Sequence, residues 1–301
     1  MMQFSLRNVG AYILACLIIF SGGVRRAKKK ALLGHYILSI YFHNPSKKEF
    51  SFAVRWLKKN GFSFISLEDL KKIKDGSIPF PKASVLLTVD DGWASNVSNI
   101  AAVADDEKVP VAIFVATEAI EEGNFWFRYA KAAKKQNLGF PSTEQMKKLP
   151  NHERLSILSS IQEKLTLPRE AMTVEDVGKI SASNWITIGG HSHSHPILPQ
   201  CDNNELYKEL NACKDKLQRW LNREVDAFAY PNGDFNESVV NATKALGYKL
   251  GFANNPAPLT PNALSNPFAI PRLGFLEGAS EAENICRMVG IWSKISKKKS
   301  S

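Results

Sequence analysis

Disulfide spacing, repeats and an evenly basic surface are all missing from this chain of 301 residues. Only four cysteines occur (Cys16, Cys201, Cys213, Cys286), none in a CxxC pair. That excludes a small disulfide framework and leaves free thiols, which suit a reducing compartment. Low-complexity sequence is absent apart from a Lys-rich tail. The net charge of +10 does not describe a basic fold, because nine of the 39 basic residues lie in Arg25-Arg26-Ala27-Lys28-Lys29-Lys30 and in Lys294, Lys297, Lys298 and Lys299. Without those nine the remainder is close to neutral, which argues against a nucleic-acid-binding face. Two basic ends near anionic headgroups, or merely solvated, are the expectation.

No apolar run reaches the ~20 residues of a usual membrane span. The nearest is Val9 to Val24, densest from Ala11 to Phe20. One arginine precedes it and five basic residues follow, the reverse of a secretory signal. By the positive-inside rule the following domain stays on the cytoplasmic side, with a periplasmic or other extracytoplasmic place as the alternative. Ile13-Leu14-Ala15-Cys16 is a passing likeness to a lipoprotein cleavage box, discounted because the apolar run continues past the cysteine. Residues 1–31 are expected to be a membrane anchor with a basic flank; an ordinary N-terminal helix packed on the domain is the competing reading. Residues 32–293 form the domain and 294–301 the basic tail.

What the sequence does have is an apolar fraction of 44% and a charged fraction of 23%, ordinary for a globular protein with ample length for a core. Buried-strand runs alternate with helical spacings. Tyr36–Tyr41, Phe62–Ile65, Ser84–Val89, Pro110–Val115, Trp185–Ile188, Val225–Tyr230, Tyr248–Ala253 and Phe268–Arg272 read as strands. Helices are expected over Phe50–Asn60, Ser66–Ile73, Asn96–Asp106, Glu205–Leu221 and Ser238–Leu246. Between 124 and 184 no strand pattern is visible, so this stretch is a helical insertion, either a lid over the site or a packed accessory. The alternation predicts an α/β fold, a distorted (β/α) barrel of about seven strands.

Two clusters carry chemistry. Thr88-Val89-Asp90-Asp91-Gly92 ends a buried strand on adjacent carboxylates, which must meet solvent, cations or a metal because an unpaired buried carboxylate is very costly. Taken alone, Asp-Asp-Gly reads as a turn; the second cluster shifts that reading. A hundred residues on, Gly189-Gly190-His191-Ser192-His193-Ser194-His195-Pro196 places three imidazoles in five residues at another strand end. Asp and His are the donor types of a hydrolytic zinc-type site, and two of the three imidazoles can converge on one cation in either a helical or an extended geometry.

These two motifs, followed by Phe228-Ala229-Tyr230-Pro231-Asn232-Gly233, resemble in sequence and order the polysaccharide deacetylase family. This is the NodB-homology group, also called carbohydrate esterase family 4. The likeness covers roughly residues 36–275, with softer echoes at Tyr41-Phe42-His43, Phe125-Trp126-Phe127, Met172-Thr173-Val174-Glu175 and Ile270-Pro271-Arg272. It implies metal-dependent hydrolysis of an acetyl group on a polysaccharide, glycan or lipid-linked glycan precursor. By position it implies that Asp91, His191 and His195 bind a divalent metal, usually zinc, that Asp90 is the general base, and that the Asn232 N–H helps hold the oxyanion. The division suits the chemistry: three protein ligands leave room for water and substrate, and the neighbouring carboxylate takes the proton.

The departures from the family pattern are specific. Ala229 stands where an Arg usually orients the base, and Arg272 is the candidate replacement. Asn232 replaces an aromatic residue, and no His follows Ile270-Pro271-Arg272-Leu273-Gly274 to act as general acid; His43 is the one other histidine at a strand end. Two rivals follow. A different HxH metal hydrolase would use His193 as a ligand, and a catalytically impaired glycan-binding homologue would have no use for Asp90. The expected partner is an acetylated glycan, with the membrane reached through the N-terminal segment; nothing in the sequence sets an oligomeric state.

Overall fold

In the computed structural model, residues 5–293 are described. Eight strands are present among them: β1 Leu38–Phe42, β2 Ser63–Phe64, β3 Ser84–Val89, β4 Val111–Val115, β5 Ile186–Gly190, β6 Ala227–Ala229, β7 Leu250–Phe252 and β8 Leu273–Gly274. Two helices, α1 Leu6–Phe20 and α2 Gly23–Leu32, precede β1. Then α3 Lys47–Lys59, α4 Leu67–Lys74, α5 Ala102–Glu107 and α6 Thr117–Glu122 lie in the connections up to β4 and just past it. The insertion folds as α7 Trp126–Lys135, α8 Thr143–Met146, α9 Asn151–Gln162 and α10 Val174–Ser181. The chain closes with α11 Asn203–Leu221, α12 Glu237–Ala245, α13 Pro261–Leu264 and α14 Glu281–Met288.

Local signals explain most boundaries. Ser46 with Glu49, Ser66 with Asp69 and Thr173 with Asp176 form capping boxes, in which each partner satisfies an otherwise orphaned N–H of the other's turn. The expected helix after Asp91-Gly92 begins instead with a π-helical turn over Val97–Ala101 before α5. The expected strand over Phe268–Arg272 is a correction. Pro267 and Pro271 cannot donate to a ladder, so within that stretch the pairing is an isolated bridge at Ile270, and the strand proper is β8.

Seven strands run parallel in the order β7-β6-β5-β4-β3-β1-β8, and β2 pairs beside β3. Phe252 of β7 bridges Ile270, three residues before β8, so the two ends of the sheet return to each other and give the barrel its closure. β3 and β4 are buried along their whole length, as strands covered on both faces should be. Their alternation separates two layers. Val85, Leu87 and Val89 pack with Phe50, Val54 and Leu57 of α3, whereas Leu86 joins Phe114 and Phe252 in the interior. Full burial of each such side chain stabilises the fold by about 1.5–3 kcal/mol.

The register fixes where chemistry can occur. Phe42 pairs with Val89, Val89 with Ile113, Val115 with Gly190, Gly190 with Phe228, and Ala229 with Phe252. The residues leaving β1, β3 and β5 therefore emerge at one edge, the carboxyl end of the parallel strands, where open α/β sheets and barrels place their ligands.

Candidate active site

Asp90 directly follows β3, and strand alternation turns it to the same inner face as Leu86 and Thr88. There it meets Arg272, whose Nη1 and Nη2 donate to the two carboxylate oxygens at 2.7 Å each. Both side chains are essentially fully buried. Arg272 satisfies all five of its N–H donors: the other three go to Thr88 Oγ1 at 3.1 Å, Asn254 Oδ1 at 2.6 Å and the Ala253 carbonyl at 3.3 Å. The Tyr41 ring lies 4.7 Å from the guanidinium carbon and adds a cation–π contact. Burial pushes the Asp90 carboxyl up, but the charge and hydrogen bonds of Arg272, with His191 and His43 nearby, hold it below its ordinary range. Asp90 is thus ionised at neutral pH. Ala229 contributes no charge; its carbonyl accepts from His191 Nδ1 at 2.7 Å.

Asp91 points the other way. Its Oδ1 lies 3.5 Å from His191 Nε2 and 3.3 Å from His195 Nε2, and its Oδ2 accepts from Trp93 Nε1 at 2.9 Å. The three donor atoms of Asp91, His191 and His195 lie within 4.8 Å of one another. Ligands about 2.0–2.1 Å from a shared tetrahedral ion stand about 3.4 Å apart, so the donor set fits one divalent cation. The Nδ1–H of His191, committed to Ala229, leaves Nε2 as the lone-pair atom, the outer-sphere arrangement that fixes a ligand imidazole. Burial raises the Asp91 carboxyl, but both histidines outweigh it and hold it well below the ordinary value. Burial lowers His191 too, yet Asp91, Asp90 and the Ala229 carbonyl carry it above its ordinary value. For His195 burial wins: together with the charge of His191 beside it, it outweighs the hydrogen bond to Asp91 and holds the imidazole below its ordinary value.

The backbone here is unusual. Asp91 (φ 77°), Ser192 (φ 63°), His195 (φ 55°) and Asn232 (φ 59°) all adopt the left-handed region. That conformation costs roughly 1–2 kcal/mol per non-glycine residue and is held only where surroundings over-determine it. Close packing is part of that constraint: a Cβ on Gly189 would stand 2.5 Å from the Phe114 ring.

His193 is turned away, with Nδ1 2.9 Å from Thr117 Oγ1. The HxH reading that required it as a ligand does not describe this geometry. Behind the histidine loop, Glu209 of α11 accepts from the His193 and Ser194 N–H groups at 3.0 and 2.8 Å and from Ser194 Oγ at 2.6 Å. Arg154 of α9 reaches the same hydroxyl at 2.9 Å. Sequence reading missed Glu209, Arg154 and Trp93. Their signals were present: an acid beside the apolar stripe Leu206, Leu210, Leu217; an arginine on the stripe Leu158, Ile161; an aromatic two residues after the Asp pair.

A cavity of about 330 Å³ opens over these groups. Asp90, Asp91, His191, His195 and His43 form its polar floor; Trp93, Trp126, Phe127 and Ile197 form an apolar wall. Lys131, Thr143 and Lys147 from α7 and the α8 region complete it, so the insertion builds part of the site as well as its own small core. Asn232 also lines the cavity. His43 is held by its backbone, its N–H donating to Glu277 Oε1 at 2.9 Å and its carbonyl accepting from Asn96 Nδ2 at 3.0 Å.

A family model described as polysaccharide deacetylase matches residues 77–251. The poly-beta-1,6-N-acetyl-D-glucosamine N-deacetylase of Staphylococcus aureus is 24% identical over 265 residues, which cover 85% of this chain and 78% of that protein. Among solved structures, the deacetylase PplD of Streptococcus pyogenes superposes with a TM-score of 0.63 at 17% identity, covering 84% of this chain and 98% of that one. IcaB from Ammonifex degensii gives 0.63 at 16% identity, covering 86% and 97%. At those identities the structural likeness establishes the shared fold.

Proposed function

The chain belongs to the polysaccharide deacetylase family, hydrolases that remove acetyl groups from sugars, and on that premise we propose that it de-N-acetylates an N-acetylglucosamine-containing envelope glycan. The observation that carries this reading is the pairing of two unlike carboxylates on one cavity floor. Asp90 is buried, ionised and oriented by Arg272, while Asp91 converges with two imidazoles. Asp91, His191 and His195 would hold a divalent cation, of which zinc suits the donor set; when bound it lowers the pKa of water and polarises the acetyl carbonyl.

Asp90 takes the proton of the attacking water, and the fixed guanidinium keeps its carboxylate from rotating or protonating between turnovers. The Asn232 N–H stabilises the tetrahedral oxyanion. His43, the one histidine in the cavity outside the donor set, returns a proton to the leaving amine. Trp93, Phe127 and Ile197 exclude bulk water from the reacting carbonyl. We place this activity at a membrane surface, with α1 as the element responsible.

Asp90→Asn tests the reading. Acetate release from N-acetylated oligosaccharides should vanish while bound metal, read by elemental analysis, stays at the wild-type level. Asp91→Asn and His195→Ala should lose metal. Retained turnover in Asp90→Asn sinks the assignment, and a wild-type protein that binds acetylated oligosaccharide without releasing acetate would make it the silent glycan binder.

A further inference from the structure

The two long faces of α1 differ completely. Ala11, Ala15 and Ile18 are buried, the latter two in a cluster with Cys286 and Val289 at the α14 end of the chain. Arg7 anchors the same helix through a two-bond pair with the buried Glu283 at 2.6 and 2.9 Å. On the outside, Leu6, Val9, Ile13, Leu17 and Phe20 recur every three or four residues and are 95%, 39%, 54%, 61% and 94% exposed. A helix resting on a soluble domain carries polar residues on that face, and a contiguous apolar stripe marks an interaction surface.

The charge around the stripe says what covers it. Residues 5–48 contain no Asp or Glu, the first acid being Glu49. α2 leaves at 65° to α1 and exposes Arg25, Arg26, Lys29 and Lys30. An apolar stripe bordered by cations matches a bilayer interface with anionic headgroups above acyl chains. A second copy of the chain would bring like charges together instead.

We propose that the outer face of α1, with the cations of α2, docks the protein in the plane of an anionic phospholipid bilayer. At 15 residues α1 is about 22 Å long, short of the ~30 Å hydrocarbon core, and its inner face is occupied by the domain. No single helix among the described residues is long and apolar enough to cross a membrane. The docking surface connects to the cavity. Asn8 donates to the Gly278 carbonyl at 3.4 Å, and the adjacent Glu277 holds the His43 backbone. One loop therefore joins the bilayer-facing helix to the rim from which His43 lines the cavity.

The test uses the full chain and vesicles of mixed phosphatidylglycerol and phosphatidylcholine, against pure phosphatidylcholine, read by co-sedimentation. Wild type should bind the anionic vesicles and be released by salt. Ile13→Glu/Leu17→Glu, both at exposed positions, should weaken binding by about tenfold or more, and Arg25→Glu/Arg26→Glu should abolish the preference for anionic lipid. Unchanged thermal melting and unchanged turnover of a soluble oligosaccharide would show that both variants are folded. Failure of wild type to bind, or unchanged binding by Ile13→Glu/Leu17→Glu, overturns the proposal. So does a solution dimer that Leu17→Glu dissociates, which assigns the face to a second copy, and so does resistance to alkaline carbonate extraction, which makes the segment a span. Vesicle binding is read without turnover, so its failure is separate from failure of the deacetylase reading.

Discussion

Two arginines, Arg272 and Arg154, are both essentially fully buried, and both stand behind a segment that carries candidate ligands or base. They are not equivalent. Arg272 has every donor satisfied and a carboxylate in bidentate contact. Arg154 bonds neutral acceptors only, Asn151 Oδ1 at 2.7 and 3.1 Å and Ser194 Oγ, and its Nη1 has no partner. Burial lowers its pKa, with Glu209 and Glu118 opposing from further off. The first arginine is matched to a charge at the reacting centre. The second braces a loop through a hydroxyl shared with Glu209.

The largest effect should come from breaking the matched pair. Arg272→Met leaves Asp90 as an unpaired buried carboxylate, expected to cost about 3–5 kcal/mol in urea unfolding and to abolish acetate release. The sharper form is the cycle: Asp90→Asn in the Arg272→Met background should recover most of that stability and none of the activity. If the double variant is as unstable as the single one, the loss came from packing and not from charge.

Next is the carboxylate on the other side. Glu209→Gln keeps the shape but removes the charge on three hydrogen bonds to His193 and Ser194. Loosening the loop that carries His191 and His195 should weaken metal binding by about 10–100-fold, measured by competition with a chelator, with turnover recovered at saturating metal. Turnover that stays low at full metal occupancy would give Glu209 a part beyond positioning.

How much of this was legible beforehand follows from the same residues. Asp90, Asp91, His191 and His195 could be placed because each cluster is contiguous and sits at the end of a recognisable strand. Arg272 could be named because Ala229 left its usual partner position vacant. Glu209, Arg154 and Trp93 were invisible as site residues. Each acts through a contact made by the fold, and at the level of sequence an acid or an arginine on a helix is a solvated residue by default. The left-handed backbone of Asp91, Ser192 and His195 was equally hidden, since none is a glycine. Nor could hydropathy alone tell whether residues 6–20 cross a membrane; the burial of Ala15 and Ile18 against the α14 end places one face of α1 on the domain.

Arg154→Met should cost less than Arg272→Met, about 1–2 kcal/mol, because the side chain it removes already has an unpaired donor and no bidentate charge partner. A loss as large as that of Arg272→Met would erase the distinction between the two arginines.

The smallest effect is the most specific. Burial, then the nearby Glu209, pushes the Glu118 carboxyl up from its ordinary 4.5 to about 7, while Arg154 pulls it down. The folded protein therefore binds this proton more tightly than the unfolded chain. Its contribution to stability is fully present below 4.5 and is lost as pH rises toward and through about 7. Urea midpoints measured across that interval should fall with pH in wild type and flatten in Glu118→Gln. In Arg154→Met the opposing charge is gone, so the fall should extend to higher pH; in Arg272→Met, which leaves the Glu118 surroundings intact, its position should not move. If both arginine variants shift the profile alike, Arg154 is not the charge that Glu118 feels, and the division between a base-orienting and a loop-bracing arginine loses its electrostatic support.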